Sequence, residues 1–71
     1  MTSNIKLRFA QRLRELRSKY GYTQQQLAEL ADIDYKHLQR LEGKNPSAAR
    51  IDTIEKLATA FNVSCSKLLD F

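Results

Sequence analysis

The sequence predicts an all-α fold, five short helices packed as a single domain over residues 1–71. Three observations carry that prediction. Apolar residues recur at steps of three and four in one window after another, the period of a helix with one buried face. The windows are separated by residues that cap helices or tolerate left-handed backbone. Two glycines, one proline and 28% charged side chains suit a helical bundle more than a flexible tail.

Taken in order, residues 1–4 read as a disordered start. From Ile5 to Tyr20 the residues Ile5, Phe9, Leu13, Leu16 and Tyr20 form one stripe, so this window is a helix with one buried side. Glu15 lies one turn before Lys19, a surface pair worth roughly 0.3 kcal/mol. Gly21 ends the helix as a left-handed cap. Thr23 caps the next helix, and Gln26 completes a T-x-x-Q capping box. Its buried side carries Leu27, Ala28 and Ala31. Asp32, Ile33 and Asp34 leave room only for a direct bend into the third helix. Asp32 tolerates the left-handed angles of that corner, and Asp34 is expected to cap the third helix with its side chain and charge. Leu38 and Leu41 mark the buried side of that helix, which ends near Gly43. Residues 44–50 form a loop containing Asn45-Pro46-Ser47, which is turn chemistry. A fourth helix over residues 51–61 turns Ile54, Leu57, Ala58 and Phe61 inward, with Asn62 as its C-cap. Ser64 then caps a last short helix carrying Leu68 and Leu69.

Charge and composition restrict the function. The net charge is +4 and unevenly spread: Lys6, Arg8, Arg12, Arg14, Arg17 and Lys19 precede Tyr22, against Glu15 alone. A basic first helix beside a nearly neutral remainder suits contact with backbone phosphates, and suits a solvated helix face as well. No apolar run approaches the roughly 20 residues of a membrane span, and no signal-peptide pattern opens the chain. A cytoplasmic location without a membrane partner is expected. Cys65 and His37 are each alone, so neither an intrachain disulfide nor a metal or cofactor site is expected. Two isolated glycines build no phosphate-cradling loop, and no paired carboxylates mark a cleft. An enzyme is therefore not expected, nor a small-molecule ligand. A chain this short buries only about 60% of its unfolded surface, so pairing with a second copy would stabilise it.

The second and third helices carry the functional signal. Tyr35, Lys36, Gln39 and Arg40 stand off the apolar side of the third helix, and they are side chains suited to reading base edges in a major groove. The chain resembles the lambdoid phage repressor and Cro family, also called the xenobiotic-response-element family. The resemblance rests on Leu13, Leu16 and Arg17, on Gly21, and on the T-Q-x-x-L-A run from Thr23 to Ala28. It continues through Ile33, Leu38, Leu41 and Glu42 to Ile51, Ile54, Leu57, Ala58, Phe61 and Val63. One departure is Asp32, where the family usually has glycine.

That resemblance implies a compact five-helix, lambda-repressor-like domain whose second and third helices form a helix-turn-helix. It implies a bacterial or phage-encoded regulator that binds double-stranded DNA sequence-specifically as a homodimer on a roughly palindromic operator. The third helix would enter the major groove. Gln24 matches a glutamine that bonds a phosphate and braces the recognition helix, and Thr23 starts the same helix. Tyr35, Lys36, Gln39 and Arg40 match positions that read bases or grip phosphates. Lys44, Asn45 and Arg50 flank the loop from which relatives contact phosphates. Arg17 and Glu42 match a partly buried ion pair between first and third helices. Leu68, Leu69 and Phe71 look like a self-association patch, although Leu68 and Leu69 could instead close the monomer core. His37 either touches a phosphate or packs beside Leu38. Asp32 and Asp34 would repel phosphate unless turned inward as caps. The alternative function is a protein-interaction module, such as an antitoxin or a bridging factor. Salt separates the two, because binding through phosphates weakens steeply as salt rises.

Overall fold

The computed structural model describes residues 4–71, and five α-helices lie among them. They are α1 (Ile5–Tyr20), α2 (Gln24–Ala31), α3 (Tyr35–Glu42), α4 (Ile51–Ala60) and α5 (Cys65–Leu68). The expected all-α, five-helix architecture is the observed one. The disordered start expected over residues 1–4 does not include Asn4, whose Oδ1 accepts the Leu7 N–H at 3.3 Å and caps α1. Residues 1–3 lie outside the described ones.

Three helices end in the same way. Gly21, Asp32 and Asn62 each have positive φ, at 74°, 56° and 58°. The residue after each donates its N–H five residues back, at 3.0 Å for Tyr22 and Ile33 and 2.9 Å for Val63. This is the Schellman arrangement, which satisfies carbonyls that the last turn leaves open. Tyr22, Ile33 and Val63 then pack against the core, so each corner fastens itself with one apolar side chain.

Helix starts follow expectation with one exception. At α2, Thr23 Oγ1 accepts from Gln26 N–H at 3.1 Å, and Gln26 Oε1 accepts from Thr23 N–H at 2.9 Å. Ser64 Oγ accepts from Lys67 N–H at 3.1 Å and caps α5. Asp34 occupies the N-cap position of α3, but its side chain makes no capping bond. Its carboxylate is exposed, and the main-chain bond from Leu38 N–H to Asp34 O at 3.0 Å starts the helix instead. Only the favourable charge at the positive helix end remains of the expected cap.

Every helix sends at least one large side chain into a common core. Leu13, Leu27, Leu38, Leu41, Leu57, Phe61 and Leu68 are fully buried, each worth about 1.5–3 kcal/mol relative to exposure. The α1 stripe is buried only through its middle, since Ile5 and Tyr20 are substantially exposed. Tyr20 nevertheless sets its ring edge-on to Phe61, with centroids 5.3 Å apart. Leu68 corrects an expectation: it faces the monomer core and not a partner. Arg12 is the reason. Its Nε and Nη2 donate to Leu68 O at 3.1 Å and Lys67 O at 2.8 Å, drawing the end of α5 against α1. No helix among the described residues is long and apolar enough to cross a membrane.

Candidate nucleic-acid interface

The corner at Asp32 sets α3 across α2 and leaves one side of α3 uncovered. With about 100° between successive helical residues, Tyr35, Lys36, Gln39 and Arg40 fall within one outer arc, and all four are exposed. Leu38 and Leu41 hold the opposite side in the core. Lys36, Gln39 and Arg40 line a shallow hollow together with Gly43 and Asn45. A second hollow brings Tyr35 beside Thr23, Gln24 and Gln25 at the start of α2. These nine positions from α2, α3 and the segments beside them thus line the two hollows.

Behind this face, a polar brace holds α3 by its last residue. Glu42 is buried, its side chain 1% exposed against 23% for Arg17. Its carboxylate accepts from Arg17 Nε at 3.1 and 3.2 Å and from Arg17 Nη2 at 3.0 Å. Gln24 Nε2 adds a bond to the same carboxylate at 3.2 Å. Arg17 Nη1 donates onward to Tyr22 O at 3.1 Å, and Arg14 Nη1 donates to the Glu42 main-chain carbonyl. A buried carboxylate is tolerable when it is paired and its lone pairs are occupied. Here one carboxylate joins α1, the start of α2 and the end of α3, so the outer arc of α3 cannot shift without breaking charged hydrogen bonds.

The structure places the other candidate residues less uniformly. Lys44 is exposed next to Asn45. His37 is half-buried and lines neither hollow. Arg50 also lines neither; its Nε lies 3.3 Å from Asp52 Oδ1 in an exposed pair at the start of α4. Asp32 and Asp34 are exposed and neither turns inward. Sequence reasoning missed Gln25, Arg12 and Arg14. Gln25 sits in a run of three glutamines, and nothing local marks which of them faces the hollow. The two arginines look like any surface cation until the carbonyls they hold are known.

Residues 10–70 match a protein-family model described as a helix-turn-helix domain. The chain belongs to that family of DNA-binding regulators. Proteins similar to it include the control protein C.BamHI of Bacillus amyloliquefaciens. That protein is 36% identical over 72 residues, spanning 100% of this chain and 88% of the relative. An HTH-type transcriptional regulatory protein of Pyrococcus furiosus is 40% identical over 60 residues, covering 84% of this chain but 19% of that larger protein. Among solved structures, the restriction-modification controller protein C.AhdI of Aeromonas hydrophila superposes with a TM-score of 0.82 at 35% identity. The match covers 89% of this chain and 94% of that one. A chain of the SinR protein/SinI protein complex gives a TM-score of 0.79 at 31% identity, covering 87% of this chain and 60% of that one. Three of these relatives are named as control, controller or regulatory proteins, and the resemblance to Cro and repressor proteins holds.

Proposed function

We propose that this chain is a sequence-specific double-stranded DNA-binding regulator of transcription, of the kind that controls restriction-modification genes. The outward arc of α3, held from behind by Glu42, carries this reading. Lys36 and Arg40 match guanine O6 and N7, Gln39 can bond adenine bidentately, and the Tyr35 ring can lie on a thymine methyl. Thr23, Gln24 and Gln25 at the start of α2, with Lys44 and Asn45 after α3, serve the flanking phosphates.

The chain acts as a homodimer in this reading. Leu69 is 41% exposed, Phe71 38% and Ile51 87%; Ile54 and Leu69 line two adjoining apolar hollows, one with Phe71 and one with Ile51 and Cys65. So large an uncovered aliphatic residue as Ile51, beside a marginal core, favours burial against a second copy. A two-fold pair would set two α3 helices about 34 Å apart, one turn of duplex, over a roughly palindromic site. The similarity to a chain of the SinR protein/SinI protein complex supports a second reading, in which another protein occupies the same apolar face.

Selection of duplexes from a random pool, with sedimentation of the free protein and of an Ile51→Glu variant, tests both readings. The expected result is one enriched site with inverted symmetry, a dimer for the parent chain and a monomer for the variant. No enrichment at low salt would overturn the DNA reading. A parent chain that sediments as a monomer and enriches only a single half-site would overturn the homodimer.

A further inference from the structure

Most of the positive charge on α1 is already engaged. Arg12 holds the end of α5, while Arg14 and Arg17 hold the end of α3. Arg8 lies over the Phe71 ring, 5.2 Å from its centroid. Lys6 is different. Its side chain makes no ion pair or hydrogen bond among the described residues, and neither does that of Lys44.

The two lysines share a hollow. It forms where the segment after α3 returns along the first turn of α1, and Asn45 and Pro46 form part of its wall. No carboxylate lines it among the described residues. Asn45 also lines the hollow under Lys36, Gln39 and Arg40, so the two depressions adjoin on one side of the molecule. Two lysines lining one hollow whose wall holds no carboxylate raise the local potential, and an anion bound there relieves it. Lys19, the other α1 lysine, sits about 20 Å further along the helix at 1.5 Å per residue, away from this face.

We propose that Lys6 is a further DNA-backbone contact: with Lys44 it holds a phosphate of the duplex beyond the C-terminal end of α3. The inference rests on the DNA-binding function proposed above and extends the footprint from α2 and α3 onto the first turn of α1. A phosphate contact adds affinity and fixes orientation without reading sequence. Lys6 therefore contributes equally on any duplex, unlike Arg40.

The test compares the full chain with Lys6→Gln and Lys6→Arg on a selected duplex and on a random one, with thermal melting to confirm equal folding. Binding is measured between about 50 and 200 mM salt, where each lost phosphate contact lowers the slope of log K against log salt by about 0.9. For Lys6→Gln the expected slope is lower by that amount for each copy bound, with the same fold loss on both duplexes. Lys6→Arg keeps the parent slope. A Lys6→Gln slope equal to the parent's overturns the proposal, as does a loss confined to the selected duplex. A parent chain that binds neither duplex overturns the DNA-binding function itself, and this contact with it.

Discussion

α1 and α3 are both cationic and amphipathic, yet they use their charges in opposite directions. On α1, Arg12, Arg14 and Arg17 turn back onto the chain's own carbonyls and onto Glu42. On α3, the side chains of Lys36 and Arg40 make no ion pair or hydrogen bond among the described residues and stand exposed on one arc. By charge count, α1 is the better candidate for a nucleic-acid surface. The partners reverse that ranking, because a guanidinium bonded to buried or main-chain oxygens is held against its own chain, whereas the Lys36 and Arg40 side chains are not. Cations on a small fold thus divide into those that brace it and those that face outward, and the division is set by what lies within reach of each.

Breaking the brace has the largest expected effect. Glu42→Ala removes a buried carboxylate and leaves Arg17 and Gln24 without their acceptor, which costs about 2–4 kcal/mol. In a chain of this size such a loss lowers the melting temperature by roughly 10 °C or more, and DNA affinity falls with it. A thermal scan that shows no change would remove Glu42 from the brace. Next comes the outer arc. Arg40→Ala weakens binding to the selected duplex by about 1–3 kcal/mol and relaxes preference at one base position. Titrations on selected and random duplexes check this, and equal losses on both would make Arg40 a phosphate contact. The smallest effect sharpens the comparison most. Arg14→Gln removes a bond to the Glu42 carbonyl and lowers stability by about 1 kcal/mol, while the salt slope of DNA binding stays unchanged. A slope reduced by about 0.9 would move Arg14 from the braces to the contacts.

Much of this was legible in the sequence because it depends on near neighbours. The capping box at Thr23 and Gln26 spans three residues and formed as expected. Gly21 and Asp32 took the left-handed angles that their place after an apolar period required. The Arg17–Glu42 pair, 25 residues apart, was legible only through family resemblance. Asp34 shows the limit of local rules. It has the right residue type at the right position, but an exposed carboxylate beside a short corner bonds water as readily as an N–H.

By itself, then, the chain's order of residues determined the number of helices, their bounds to within about a residue, and which side of α3 stays exposed. Those follow from backbone geometry and the helical period, which act over three to five residues. Only the tertiary structure decided that Leu68 is enclosed while Leu69, Phe71 and Ile51 are not, and that Arg12 and Arg14 secure helix ends. The Arg12–Leu68 bond joins residues 56 apart. A helical stripe says which side seeks cover, and it does not say which distant segment supplies it.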